Sequence, residues 1–306
     1  MKTKVLFAGT PEFAIPSLLK LHEHYDVVGV ISPPDRPRNR NQVLPTPVKA
    51  KALELGLPVF TPEDVNAPEV LEELKTLGAE FIVEVAFGKL LKPVFLDLAP
   101  EKVLNVHPSL LPRWRGAAPL LWPILSNEQE TGVTIMLVDE GMDTGDILLM
   151  KEVPIDEKYA HELHDELAQL GADMLVEVID QYDEVYEHRQ KQIGPHTYAK
   201  KITKEMGEIT KDDTTEIFLR KVRTFYPRPG AYFFVDGKRM QIAAAEAVNE
   251  TEGLPGAVYR SDKHGIYMRT ADGAVLITKI KPEGKREMNA ADFARGNQII
   301  IPTTID

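Results

Sequence analysis

The chain has 306 residues, of which 43% are hydrophobic, with a net charge of −11 and no cysteine. That length holds one large or two ordinary domains with full cores, and the missing cysteines exclude disulfides, thiolate metal sites and cysteine catalysis. There is no apolar run of about 18 residues to span a membrane, and the opening MKTKVLFAGT reads as the approach to a short strand rather than a secretory signal, so a cytoplasmic protein is expected, and a monomer by default because no self-association feature stands out.

Residues 4–8 predict a strand, which Gly9-Thr10-Pro11 turns into a helix over 15–23. Nucleotide-binding α/β folds begin this way, but the spacing G-x-G-x-x-G is missing and a bound dinucleotide is not expected. Strand 27–31, helix 48–55, strand 58–60, helix 69–77 and strand 81–86 continue the alternation. Strand 103–106 and helix 120–126 follow. The pattern predicts an α/β fold, a Rossmann-like and largely parallel sheet with helices on both faces and ligands at the carboxyl ends of its strands.

Three stretches interrupt that regularity. Residues 32–47, SPPDRPRNRNQVLPTP, carry five prolines and the arginines Arg36, Arg38 and Arg40, and are too long and polar for a plain connector. They read as a positive flap for phosphate or sugar. Glu84 stands in an otherwise apolar strand, which places it at an edge or an end beside a polar partner. Residues 86–91 form a turn with apolar members, Phe87 among them.

Beyond these, 131–138 and 147–153 read as strands. A long helix over 160–186 shows Leu163, Leu167, Leu170, Met174, Val178 and Tyr182 at helical spacing. Its start, His161-Glu162-Leu163-His164, has spacing i, i+3 and not that of H-E-x-x-H, so it is a solvated first turn and no metal site is expected. Residues 187–207 are polar, bear Lys200, Lys201 and Lys204, and read as a linker. A helix over 214–225, short strands at 231–235, 238–245, 257–260, 265–269 and 274–281, and a helix over 290–295 predict a small C-terminal β-barrel. Charge divides with the chain: residues 1–187 carry 16 basic and 32 acidic side chains, net −16, while 188–306 carry 20 and 15, net +5. The two parts are expected to have different tasks, the basic one near phosphates.

The chemistry concentrates in NVHPSLLPRWRG, residues 105–116, and DEGMDTGD, residues 139–146. Asn105 and His107 end a strand with spacing i, i+2, which puts both on one face. An Asn amide can hold a developing oxyanion, and a His can carry or pass a proton near neutral pH. Asp143 lies between Gly141 and Gly145, in a turn able to bring a carboxylate close to a ligand. Together the three form an acyl-transfer site with no nucleophilic Ser or Cys.

The strings KVLFAGTPEFA, PDRP with PTPVKA, NVHPSLLPRWRGAAP, TGVTIM, DTGDI, TYAKKITKE and PRPGAY cover nearly the whole chain. In that order they resemble the 10-formyltetrahydrofolate-dependent formyltransferases. The resemblance implies a catalytic domain over 1–186, a linker over 187–207 and an OB-like, tRNA-binding barrel over 208–306. It implies formyl transfer from 10-formyltetrahydrofolate, without metal, to the amine of initiator methionyl-tRNA, with Asn105, His107 and Asp143 catalytic. By the same resemblance Ser109, Leu110, Leu111, Pro112, Phe87 and Gly88 border the folate, and Arg36, Arg38, Arg40, Lys200 and Lys201 face the RNA. A nucleotide-linked amino sugar, glycinamide ribonucleotide, or RNA binding without catalysis remain as alternatives.

Overall fold

Runs such as VLFAG, FIVEV and VLNVH place apolar residues on both alternating faces, as strands covered by helices on each side do, with Glu84, Asn105 and His107 as polar exceptions toward the carboxyl ends. In the computed structural model they are central strands, and Val5, Phe7, Ile82, Val83 and Leu104 have no exposed surface. Described are residues 2–38, 42–235, 237–250, 252–297 and 303–305. They form two units: Met1–Leu120 with Glu130–Pro154 and His164–Lys200, and Leu121–Gln129 with Ile155–Leu163 and Lys201–Asp306.

The first unit holds β1 (Lys4–Gly9), β2 (Asp26–Ile31), β3 (Arg36–Arg38), β4 (Gln42–Leu44), β5 (Val59–Phe60), β6 (Phe81–Val85), β7 (Val103–His107), β8 (Arg115–Gly116), β9 (Glu130–Leu137), β10 (Ile147–Pro154) and β11 (Tyr198–Ala199). The main sheet runs β10-β9-β7-β6-β1-β2-β5. Its β7, β6, β1, β2 and β5 are parallel, and β9 and β10 add antiparallel pairs beyond β7. From β1 the order first runs outward to β2 and β5 and then restarts on the other side at β6. The carboxyl ends of β1 and β6 therefore flank the switch point, where open α/β sheets hold ligands.

Two details depart from the sequence expectation. The 32–47 stretch is not wholly irregular: β3 and β4 pair as a short hairpin. It is tied to the sheet by Ser32, whose hydroxyl meets the Gly9 carbonyl at 3.0 Å and Thr46 Oγ1 at 2.5 Å, while Thr46 caps helix Pro47–Glu54. The helix expected over 160–186 is two helices, Ala160–Asp180 and Tyr182–Glu187. Gln181 leaves helical geometry at φ −114° and ψ 25°. The Tyr182 ring still reaches the core and packs edge-on against Phe81, which is why the apolar stripe passes through the break.

The second unit contains β12 (Ala231–Val235), β13 (Lys238–Val248), β14 (Ala257–Ser261), β15 (Ile266–Arg269), β16 (Ala274–Pro282), β17 (Met288–Asn289) and β18 (Thr303–Thr304). They form an antiparallel half-barrel in the order β12-β13-β16-β15-β14-β18, with β17 on β16. Helices Thr215–Phe225 and Ala290–Asn297 contribute Phe218, Val222, Ala290 and Ala294 to a core with Ile242, Val275, Ile277 and Ile280. Thr214 caps the first of these helices by accepting from the Ile217 N–H at 3.2 Å.

Candidate active site

β7 delivers Asn105 and His107 at its carboxyl end, 8% and 3% exposed. β9 lies on one side, with Met136 opposite Asn105 and Thr134 opposite His107. On the other side Glu84 of β6 is the register partner of Asn105.

The chain then doubles back through Ser109–Pro112. Ser109 is fully buried; its hydroxyl donates to the Arg113 carbonyl at 2.8 Å, and its carbonyl accepts from Thr134 Oγ1 at 2.7 Å. Leu111 packs with Met136 and Ile147. The return brings the Trp114 carbonyl to 3.0 Å from His107 Nε2. A carbonyl only accepts, so Nε2 carries the hydrogen and the other ring nitrogen, Nδ1, faces Asp143.

Asp143 occupies the left-handed region at φ 53°, which Asp tolerates better than most residues. Its flanking glycines are sterically required. A Cβ on Gly145 would collide with the Leu137 carbonyl, and one on Gly141 with Thr144 Oγ1. The turn aims Oδ2 at the Gly116 N–H, 2.7 Å away, and leaves Oδ1 3.7 Å from His107 Nδ1.

A segment expected to be linker completes the arrangement. β11 pairs with β8 in parallel. The Trp114 N–H reaches Thr197 Oγ1 at 2.9 Å, the Arg115 N–H reaches the Thr197 carbonyl at 2.9 Å, and the Ala117 N–H reaches the Ala199 carbonyl at 2.9 Å. Gln192 donates its amide to the carbonyls of Asp143 at 2.9 Å and Gly145 at 2.8 Å. Its oxygen accepts from Arg115 Nη2 at 2.6 Å and Nε at 3.0 Å. One side chain thus holds both walls of the site. Sequence reading missed Gln192, Thr197 and Thr134, because their roles exist only once distant segments have met.

Burial sets the electrostatics. Desolvation lowers the His107 pKa, helped by Arg115 and opposed by Asp143 and the bond to Trp114, so the imidazole is neutral at neutral pH. A neutral ring with hydrogen on Nε2 presents a lone pair at Nδ1. Two acceptors, Nδ1 and Asp143 Oδ1, then face each other at 3.7 Å and call for a donor between or beside them. The Glu84 carboxyl is pushed up to about 7 by burial, against the bond it accepts from the Phe87 N–H and with help from the negative charge of Asp143.

Other expected site residues are placed as follows. Phe87 is 2% exposed and its ring belongs to the core of the sheet, so its turn can offer a ligand backbone atoms and the exposed Gly88, at φ 78°. Leu110 and Pro112 are half-buried. Arg36 is exposed and 3.5 Å from Glu63. Arg38 lies on β3, and Arg40 falls outside the described residues. Lys200 and Lys201 are exposed and follow β11 directly. His164 packs edge-on against Phe13 and bonds Asp165 at 2.9 Å. Among the described residues no group of three or more His, Asp or Glu is placed to hold a metal ion, and no helix is long and apolar enough to cross a membrane.

The family described as Formyl transferase matches residues 1–179, and its C-terminal domain matches residues 201–298. A protein of Geotalea uraniireducens named methionyl-tRNA formyltransferase is 42% identical over 300 residues, 97% of this chain and 96% of its own length. A protein of the same name from Clostridium acetobutylicum is 42% identical over 301 residues, 97% of each chain. Among solved structures, the sugar 3N-formyl transferase WlaRD, determined in the presence of dTDP and 5-N-formyl-THF, superposes with a TM-score of 0.66 at 20% identity, over 94% of this chain and 100% of that one.

Proposed function

The chain belongs to the formyl transferase family, and we propose that it transfers the formyl group of 10-formyltetrahydrofolate to the free amino group of methionyl-tRNA, giving N-formylmethionyl-tRNA for translation initiation. Relatives of that name match it end to end at about 40% identity, whereas the sugar-formylating structure shares only the fold. One observation in the site carries the reading: the facing acceptors His107 Nδ1 and Asp143 Oδ1. A primary amine brings the hydrogens that this pair lacks.

In this reading the amine nitrogen is held by Asp143 and His107 with its lone pair directed at the formyl carbon. As the carbon–nitrogen bond forms, charge gathers on the formyl oxygen. Asn105, on the same face two residues before His107, presents its amide N–H to that oxygen, a contribution of roughly 3 kcal/mol to the barrier. The attacking nitrogen becomes positive and passes a proton to Asp143, which returns it, directly or through water, to the leaving N10 as that nitrogen's bond to carbon breaks. His107, fixed through Trp114, acts as an acceptor that orients the amine rather than as a cationic acid.

Residues 1–186 carry this chemistry, and 208–306, with the exposed Arg36, Lys200 and Lys201, serve the tRNA. Residues 109–112 and the Phe87-Gly88 turn border the folate. The expected setting is a monomer in the cytoplasm, which sedimentation of the purified protein and cell fractionation check. The decisive assay supplies 10-formyltetrahydrofolate with methionyl-tRNA, glycinamide ribonucleotide or a nucleotide-linked amino sugar, using wild type and Asp143→Asn. Formylation of methionyl-tRNA alone, lost in the variant, is expected. Transfer to the sugar would replace the acceptor and the task given to the second unit.

A further inference from the structure

Three aspartates stand in the turn between β9 and β10, and each is directed elsewhere. Asp139 closes the turn on itself: its Oδ1 accepts from the Gly141 N–H at 3.0 Å and from Thr144 Oγ1 at 2.7 Å. Asp143 faces Gly116 and His107. Asp146 is the last residue before β10. Its carbonyl accepts from the Leu137 N–H at 2.9 Å, and its carboxylate points out of the turn, where Oδ2 lies 3.2 Å from Arg189 Nε. The chemistry described above uses neither Asp146 nor Arg189.

Arg189 is held ready for that contact. Its guanidinium lies 3.9 Å from the centre of the Tyr186 ring, and Nη1 donates to the Tyr186 carbonyl at 2.8 Å. A planar guanidinium kept on a ring face and tied by one nitrogen aims Nε in one direction. Tyr186 lies against Tyr182, ring centres 5.6 Å apart, and Tyr182 meets Phe81 of β6. The short helix that begins after the break at Gln181 thus carries a line of rings from the sheet to the arginine.

Two further contacts hold the same segment to the same turn. Gln190 and Ile147 exchange both backbone hydrogen bonds, at 2.8 and 2.9 Å, and Gln192 donates to the carbonyls of Asp143 and Gly145. Residues 189–192 therefore run along the turn as a strap. The side chains of Arg189 and Asp146 are 35% and 25% exposed, and a pair so open to water contributes little to the stability of a fold. What it fixes is the place of the turn's end nearest β10, in the same short loop as Asp143.

We infer that Arg189 and Asp146 are positioning residues for formyl transfer: their ion pair pins the end of the Asp143 turn to the strap, so that Asp143 keeps its place between the Gly116 N–H and His107. Its kinetic consequence rests on the reaction proposed above; the placing of the turn does not. Neither side chain touches substrate or exchanges a proton with it. Their effect on turnover passes through Asp143.

The Gly116 N–H reports that placement in the free protein, because Asp143 Oδ2 is its acceptor. Its hydrogen exchange is followed by NMR in wild type, Arg189→Gln and Asp146→Asn, and kcat and KM are measured for the same proteins. Each variant should exchange Gly116 about tenfold faster, as a locally opened turn would. Each should lower kcat roughly tenfold, the size of a small misplacement of a reacting group, with the KM for folate unchanged. The double variant should be no worse than either single one, since both break one pair. Added to Asp143→Asn, Arg189→Gln should change kcat by less than about twofold, because the residue it positions has already lost its function. Wild-type exchange at Gly116, wild-type kcat in both variants, or a full further tenfold loss on top of Asp143→Asn would each overturn the inference. If Asp143→Asn itself turns over like the wild type, the catalytic assignment fails, and exchange at Gly116 still decides whether the pair holds the turn. If another acceptor is formylated instead of methionyl-tRNA, the acceptor assignment fails, and the same kinetic comparisons made with that acceptor decide on the pair.

Discussion

A neutral imidazole with only Nδ1 available is a narrower instrument than a freely titrating one, and Asp143 supplies what it lacks. Asp143→Asn preserves the acceptor oxygen for the Gly116 N–H but removes the base, so kcat should fall by about 100-fold or more with little change in the KM for folate. Steady-state kinetics with methionyl-tRNA read both. The two perturbed groups of the site also tie folding to pH, in opposite senses. His107 has a folded pKa below its unfolded one, so at acid pH the unfolded chain binds a proton that the folded chain refuses, and stability falls as pH drops through and below 6.5. Glu84 has a raised folded pKa. The stability it contributes is present below its unfolded value of 4.5 and is lost as pH rises through about 7. Thermal melts should therefore show Glu84→Gln gaining on the wild type as pH climbs across that window. A constant offset between the two would contradict the shifted carboxyl.

Among the elements, the one that decides most is the polar segment ahead of β11. Gln192→Ala removes two bonds to the Asp143 turn and the anchor of Arg115. At about 1 kcal/mol for each lost bond, kcat should drop on the order of tenfold or more. Gln192→Glu keeps the acceptor for Arg115 and loses the donor, so it should fail at the Asp143 turn as well. Recovery of wild-type kcat by Gln192→Glu would show that only the arginine matters. Gly145→Ala tests the turn from the other direction. Its Cβ meets the Leu137 carbonyl, a backbone atom that cannot step aside, and a loss of about 2 kcal/mol in unfolding free energy is expected from denaturant titration. Such dependencies explain what the sequence could and could not show. The placement of Asn105, His107 and Asp143 could be anticipated because strand end, spacing and bracketing glycines are local features, but their proposed role came from the resemblance of the surrounding strings to a known family. Gln192 could not be anticipated, since a glutamine in a polar run looks like any solvated residue until the run returns to a distant loop. The break at Gln181 was hidden by Tyr182, which keeps the apolar stripe in phase. Glu84 stood out as an exception, but the strand order that places it at the switch point is a property of the whole sheet.

At the scale of the whole molecule, charge is the plainest feature: residues 1–187 are net −16 and residues 188–306 net +5. If the basic part follows RNA phosphates, the KM for methionyl-tRNA should rise steeply with added salt, while the KM for folate, set in the acidic part, should barely move. Equal salt responses of the two constants would place the RNA contacts elsewhere. The pairing of β8 with β11 has a consequence for how the protein is made. The three side chains of the site have all been synthesised by residue 143, but the strand that braces their loop arrives at residues 198 and 199, and the glutamine that steadies Asp143 only at 192. In the growing chain the sheet can therefore have formed while the chemistry is still unassembled. Activity begins on a clock set by the segment that looked like a connector.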